Sequence, residues 1–201
     1  GKDEYYSKNN YPIKSLHNKP FILCVSHLYF YKNIPRMIKA YGIAKKKTKT
    51  KMKLLIAGAK SSEYFQKLII NEIANNNLNN SVILLGKIKK TELKYYYSNC
   101  DFFIFPSPCE NFAYTLIEAM SCGAPILTTN STSMPETCGG ASINFNYNDT
   151  IEFSKKIELL IKDKKLKNKL KMKSLNRVKK LPNYKEVTEK TFNIMKNLLK
   201  K

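Results

Sequence analysis

Short apolar runs of strand length, each separated from the next by a stretch of helical periodicity, constrain this chain more than any other feature. The runs are FILCVS (Phe21 to Ser26), KLLIAG (Lys53 to Gly58), SVILLG (Ser81 to Gly86), DFFIFP (Asp101 to Pro106) and APILTT (Ala124 to Thr129). After the first, Ile34, Met37, Ile38, Tyr41 and Ile43 recur at helical spacing, and Tyr64, Leu68, Ile69 and Ile73 make a second stripe. ELKYYYSN, with Thr91 as its expected cap, and Tyr114 to Ser121 supply the next two helices. Strands that are apolar on both faces and alternate with helices predict a mostly parallel sheet covered on both sides. The expected fold is therefore α/β and doubly wound. ASINFN (Ala141 to Asn146) is expected to add an edge strand. Ile151 to Lys180 and Tyr184 to Leu199 read as helical, broken by Pro182. Residues 1–20, polar and carrying Pro12 and Pro20, read as a tail or interdomain linker, 21–180 as the sheet domain, and 181–201 as a C-terminal helix.

The charge is lopsided: 36 Lys and Arg against 15 Asp and Glu give a net +21. Arg36 and Arg177 are the only arginines, whereas base-edge and phosphate readers favour the Arg fork. With no recognition module in the chain, specific nucleic-acid binding is not expected. The lysines gather in AKKKTKTKMK (Ala44 to Lys53) and KDKKLKNKLKMK (Lys162 to Lys173). These runs read as solvated faces, or as a field that attracts anionic lipid or a phosphorylated substrate. No apolar run approaches a membrane span, and the N-terminus has no signal-peptide core. The five cysteines lack metal-ligand spacing and their odd number suits a reducing compartment. The reading is a cytoplasmic protein without a metal site.

In an open parallel sheet, ligands gather at the carboxyl ends of the strands. His27 and Lys32 follow the first strand, and a cation there can hold a phosphate, although both also read as ordinary surface and half-buried residues. Gly58 closes the second strand and permits close backbone approach. No GxGxxG follows, which removes the main support for dinucleotide redox chemistry. Gly86, Lys87 and Ile88 offer backbone groups after the third strand. The fourth strand ends at Pro106 and Pro108, and Glu110 lies in the loop beyond. A helix starting near Tyr114 directs its free amides, Ala113 to Leu116, at an anion such as a diphosphate. Glu118, about one turn inside, can accept hydrogen bonds from a diol. From spacing alone, the two acids either grip opposite ends of an elongated ligand or merely favour the helix dipole.

The stretch ENFAYTLIEAMSCGAPI, Glu110 to Ile126, resembles the EX7E signature of retaining glycosyltransferases of the GT-B fold, especially glycosyltransferase family 4 (glycosyl transferases group 1). VSHLYFYKN, LLIAGA, VILLGKIKKTELKYYYSNCDFFIFPS, SMPETCGGAS and NYKEVTEKTF match in order, so the resemblance covers about Phe21 to Leu199. It implies the Rossmann-like C-terminal lobe that holds a nucleotide-diphosphate sugar, with an N-terminal lobe of the parent protein facing it and a glycan or lipid-linked acceptor. Carried over by position, Glu110 and Lys32 act catalytically, the first beside the sugar and the second on the phosphates. Glu118 binds the ribose hydroxyls. His27, Gly58 and main-chain groups of Asn111, Phe112, Ala113, Tyr114, Thr115 and Leu116 line the donor, and Gly86, Lys87 and Ile88 flank its base. The resemblance further implies hexosyl transfer without a metal or other cofactor, in cell-surface polysaccharide synthesis, at the cytoplasmic face with peripheral contact to anionic membrane. The chain alone, lacking the second lobe, is expected to be inactive. Two positions depart from the pattern: His27 stands where the family usually has Arg, and Ala113 where it often has Gly. A noncatalytic scaffold of the same fold and a basic polyanion-binding module are the competing readings.

Overall fold

The structure, a computed structural model, describes residues 19–59, 62–182 and 184–199. Most of the expected tail lies outside the described residues.

Each apolar run forms a strand: β1 (Phe21–Val25), β2 (Lys53–Ala57), β3 (Val82–Gly86), β4 (Phe102–Phe105) and β5 (Ile126–Thr129). The sixth, β6 (Ser142–Phe145), is the expected edge strand. The sheet is parallel throughout, in the order β3-β2-β1-β4-β5-β6. Strand order reverses between β1 and β4, the position at which a doubly wound sheet opens a ligand crevice. At that joint only Ile22 with Phe102 and Leu23 with Phe103 are in register.

Alternation along the strands divides the core. Ile22, Cys24, Leu54, Ile56, Phe102, Ile104 and Leu127 face one side, where α1 (Ile34–Thr48), α2 (Glu63–Asn75) and α6 (Thr150–Lys162) cover them. Phe21, Leu23, Leu55, Phe103, Phe105 and Ile126 face the other, under α3 (Lys90–Asn99), α4 (Tyr114–Ser121) and α5 (Met134–Cys138). The rings of Phe145 and Phe153 stack at 3.7 Å, tying β6 to α6. Then α7 (Lys164–Lys179) passes from one layer to the other: Leu166 and Leu170 join the first cluster, Val178 the second. The C-terminal helix, α8 (Tyr184–Leu198), leaves Val187, Phe192, Ile194, Met195 and Leu198 exposed. Among the described residues no helix is long and apolar enough to cross a membrane.

Two local expectations are corrected. The helix expected to run unbroken from Ile151 is interrupted at Asp163, whose backbone leaves helical geometry (φ −97, ψ 91) and whose carboxylate accepts the Leu166 N–H at 2.8 Å. An Asp that caps a helix ends the one before it. Thr91 does not cap α3; the helix begins two residues earlier than expected, with Lys89 as N-cap and Glu92 accepting the Lys89 N–H at 3.4 Å.

Burial also sets a pH response. It pushes the Cys24 thiol from 9.0 up to about 12, against the opposing pull of Lys32. Burial likewise raises the Tyr41 and Tyr97 phenols. Above about pH 9 the unfolded chain therefore releases protons that the folded chain retains. That stabilisation is complete below pH 9 and is lost as pH rises toward 12. The midpoint of urea unfolding is expected to hold steady up to about pH 8.5. Beyond that the unfolding free energy should fall by up to about 1.4 kcal/mol per pH unit for each such group, and the midpoint with it, with a shallower slope in Cys24→Ala. A flat profile to pH 11 rules out these buried thiols and phenols as the cause.

Candidate functional site

The β1 and β4 exits flank the reversal point, and each delivers one charged side chain to it. After β1 the chain makes a short 3-10 turn, Phe30–Lys32, which folds the Lys32 stem inward until the residue is 8% exposed. After β4, Ser107 donates to the Cys109 carbonyl at 3.2 Å, bending the loop so that Glu110 meets Lys32. Their side chains are 10% and 17% exposed. A cation so nearly buried requires a counter-charge. The Lys32 ammonium also lies 4.6 Å from the Tyr31 ring centroid and 5.9 Å from that of Phe105.

Glu110 is positioned by a segment further along the chain. Its N–H donates to Thr132 Oγ1 at 3.2 Å, and its carbonyl accepts from Ser133 Oγ at 2.9 Å. Thr132 occupies the left-handed region (φ 45), which a β-branched residue rarely adopts. Neither Thr132 nor Ser133 was recognisable as a support for Glu110; the only signal was their place in the loop after the fifth strand.

Glu118, the fifth residue of α4, is exposed and accepts a hydrogen bond from Tyr97 Oη at 3.1 Å. Burial first, and then the adjacent carboxylate, raises the Tyr97 phenol, so it remains a donor at neutral pH. Tyr97 was hidden in the run Tyr95-Tyr96-Tyr97 and carried no sequence mark of its own. The two acids thus have separate partners, Lys32 for one and Tyr97 for the other.

No side chain caps α4. The expected row of free amides at its start is narrower than the sequence suggested. Tyr114 N–H turns back to the Phe112 carbonyl at 3.1 Å and Leu116 N–H to that of Ala113 at 2.9 Å, because the entry turn is tight. The side chains of Ala113 and Leu116 are buried in the core, whereas Phe112 and Tyr114 are exposed and pack edge-to-face at 4.9 Å. Asn111 is exposed and Thr115 half-buried.

His27 is exposed, stacked on Tyr29 at 5.6 Å, which stacks in turn on Tyr31 at 5.9 Å. Gly58 lies against β1: a Cβ there would meet the Ser26 carbonyl oxygen at 1.8 Å, and its N–H donates to the Gly86 carbonyl at 2.8 Å. Gly86 adopts φ +71 with open space where a Cβ would stand. Lys87 is exposed beside it and Ile88 is half-buried against the core. Every site residue singled out from the sequence therefore lies at or beyond the carboxyl end of β1, β2, β3 or β4. Among the described residues no three His, Cys, Asp or Glu side chains gather as metal ligands.

Residues 7–177 match the family described as glycosyl transferases group 1. Over 174 residues the chain is 26% identical to the serotype-specific mannosyltransferase WbdA of Escherichia coli, covering 86% of this chain and 21% of that protein. The Anabaena protein Alr3699/HepE, solved in complex with UDP and glucose, superposes with a TM-score of 0.81 at 16% identity, over 98% of this chain and 55% of that one. The C-terminal domain of the group 1 glycosyl transferase LpcC of Francisella tularensis gives 0.73 at 19% identity, over 89% and 95%. The chain spans between 21% and 41% of the length of the curated relatives it matches.

Proposed function

The chain belongs to the glycosyl transferases group 1 family, and we propose that it is the part of a retaining glycosyltransferase that binds a nucleotide-diphosphate sugar and presents its hexose to a glycan or lipid-linked acceptor. The observation that carries this reading is the Lys32–Glu110 pair at the reversal point, beside a helix with no side-chain cap. A pair so placed holds a site ready for a ligand of mixed charge. When a diphosphate arrives, Lys32 exchanges the carboxylate for phosphate oxygens, and Glu110 turns to the sugar hydroxyls. Negative charge that grows on the β-phosphate as the carbon–oxygen bond breaks is met by Lys32 and by the amides that open α4. Glu118, steadied by Tyr97, accepts the ribose hydroxyls, and the Gly86 turn leaves room for the base beside Ile88. In this reading the His27 imidazole, exposed at the same strand exit, lines the phosphates beside Lys32. In this reading the phosphates are neutralised by side chain and helix, without a metal. The acceptor is read by a second lobe of the parent protein, working at the cytoplasmic face of a membrane, and the chain alone does not turn over.

WbdA is a mannosyltransferase by name, and HepE was solved with UDP and glucose, so GDP-mannose and UDP-glucose are the first donors to try. One of them is expected to raise the melting temperature of the 201-residue chain by several degrees. Glu118→Ala, on an exposed residue, should leave the unliganded melting temperature within about 2 °C and abolish the shift. No shift with any UDP, GDP or ADP sugar would sink the reading.

A further inference from the structure

The second lysine run borders a recess at the end of the sheet opposite the Lys32–Glu110 site, and Met52 of the first run, more than a hundred residues away in sequence, reaches the same recess. The first closes α1 and leads into β2. The second opens α7, where the chain crosses between the helix layers. Here lies a cavity of about 730 Å³ bordered by Phe21, Asp101 and Pro125, all at or just before the first residues of strands. Its size is that of a small-molecule site.

Its charge does not look like that of an ordinary solvated face. Lys164, Lys167, Asn168 and Lys171 line it from α7, and Lys19 faces them from the chain entering β1. The α7 residues stand at i, i+3, i+4 and i+7, one continuous stripe of the helix. A helix packed on a domain ordinarily gives such a stripe to apolar residues, yet here it is cationic and turned toward a cavity. Two of these lysines are held in place. Lys167 is 9% exposed and pairs with Asp101, and the Lys171 stem lies against Gly123, where a Cβ would meet its Cγ and Cε at 3.4 Å. Among the described residues Asp101 is the only acid in the lining, against four lysines. Converging cations in a recess focus the field and raise the local concentration of anions. Tyr95, Ser98 and Asn99 add polar groups from the end of α3.

We propose that this cavity is a second ligand site, for a phosphate-bearing anion of at least two negative charges. Phosphate suits it better than a single carboxylate because several separate ammonium groups converge, each able to take a different oxygen. The ligand is bound as a free phosphorylated molecule or as the headgroup of an anionic lipid, and the recess favours the former over a flat bilayer.

The test is a titration of the whole chain with inorganic pyrophosphate, followed by backbone amide NMR. Shifts are expected at Cys100, Gly123 and Asn168. The exposed double substitution Lys164→Gln/Lys171→Gln should weaken that response about tenfold or more, with the circular dichroism spectrum unchanged and any shifts at Ala113 and Thr115 intact. Cosedimentation with phosphatidylcholine vesicles, with and without phosphatidylglycerol, separates the sources. Vesicle binding that the double variant loses and pyrophosphate displaces assigns the site to a headgroup; pyrophosphate shifts without vesicle binding assign it to a soluble ligand. Shifts confined to the start of α4, an unchanged affinity in the double variant, or no response to either probe overturns the proposal. Nucleotide-sugar binding is read at the opposite edge and survives any of these outcomes.

Discussion

Lys32→Met is expected to weaken nucleotide-sugar binding about a hundredfold and to lower stability by about 2 kcal/mol, or roughly 4–8 °C in melting temperature. The two losses have different origins. Stability falls because Glu110, at 17% side-chain exposure, is left without its counter-ion. Fully buried pairs broken on one side cost about 3–5 kcal/mol, and Glu110 retains some solvent, so the smaller figure applies. Binding falls because, among the described residues, Lys32 is the lysine that the β1 exit folds inward to the Glu110 carboxylate. A second substitution separates these causes. In Lys32→Met/Glu110→Leu the orphaned carboxylate is gone, so most of the stability should return while nucleotide-sugar affinity stays low. Calorimetric titration with the donor found by thermal shift, alongside urea unfolding, reads both quantities. Wild-type affinity in Lys32→Met would show that the ion pair only supports the fold.

Gly58→Ala is expected to cost about 3 kcal/mol or more, roughly 6–12 °C. The added methyl would stand 1.8 Å from the Ser26 carbonyl oxygen and 2.7 Å from its carbon. Both are backbone atoms of the β1 exit, so no rotamer change relieves the clash. The chain must part from β1 or give up the 2.8 Å bond from Gly58 N–H to Gly86. Gly42→Ala is the control. Gly42 lies inside α1, and the atoms nearest its added methyl, from the Leu78 and Asn76 side chains, would stand 3.3 to 3.4 Å away. There the helix preference for alanine works in favour of the variant by up to about 1 kcal/mol. If the two alanines differ by less than about 1 kcal/mol in urea unfolding, the close approach of β2 to β1 is not what demands a glycine.

β1, β2, β4 and β5 were legible because each buries both faces: two adjoining apolar layers leave an uninterrupted run of hydrophobic residues in sequence, and β3, half-buried on one face at the other edge, keeps such a run. β6, which lies at the edge with Ser142, Ile143 and Asn144 half-buried, was correspondingly fainter. Glu110, Glu118 and Lys32 were singled out through spacing joined to family resemblance. Their partners were not. Only one of three consecutive tyrosines reaches Glu118, and which one depends on the rotation of α3 against α4. Thr132 and Ser133 reach Glu110 across more than twenty residues of chain, through a left-handed turn without glycine. The break at Asp163 was invisible because helical periodicity continues on both sides of it. Gly58 was read for what it allows a ligand to do, whereas the nearer constraint is the Ser26 carbonyl.

The joint between β1 and β4 has just two positions in register, fewer than any other in the sheet. It also joins strands roughly 80 residues apart in sequence. Each half of the sheet has richer pairing of its own and little need to wait for the other. Lys32 hangs from one half and Glu110 from the other, so neither half carries the crevice by itself. It comes into being only at their union, and whatever parts that narrow suture separates the lysine from its carboxylate.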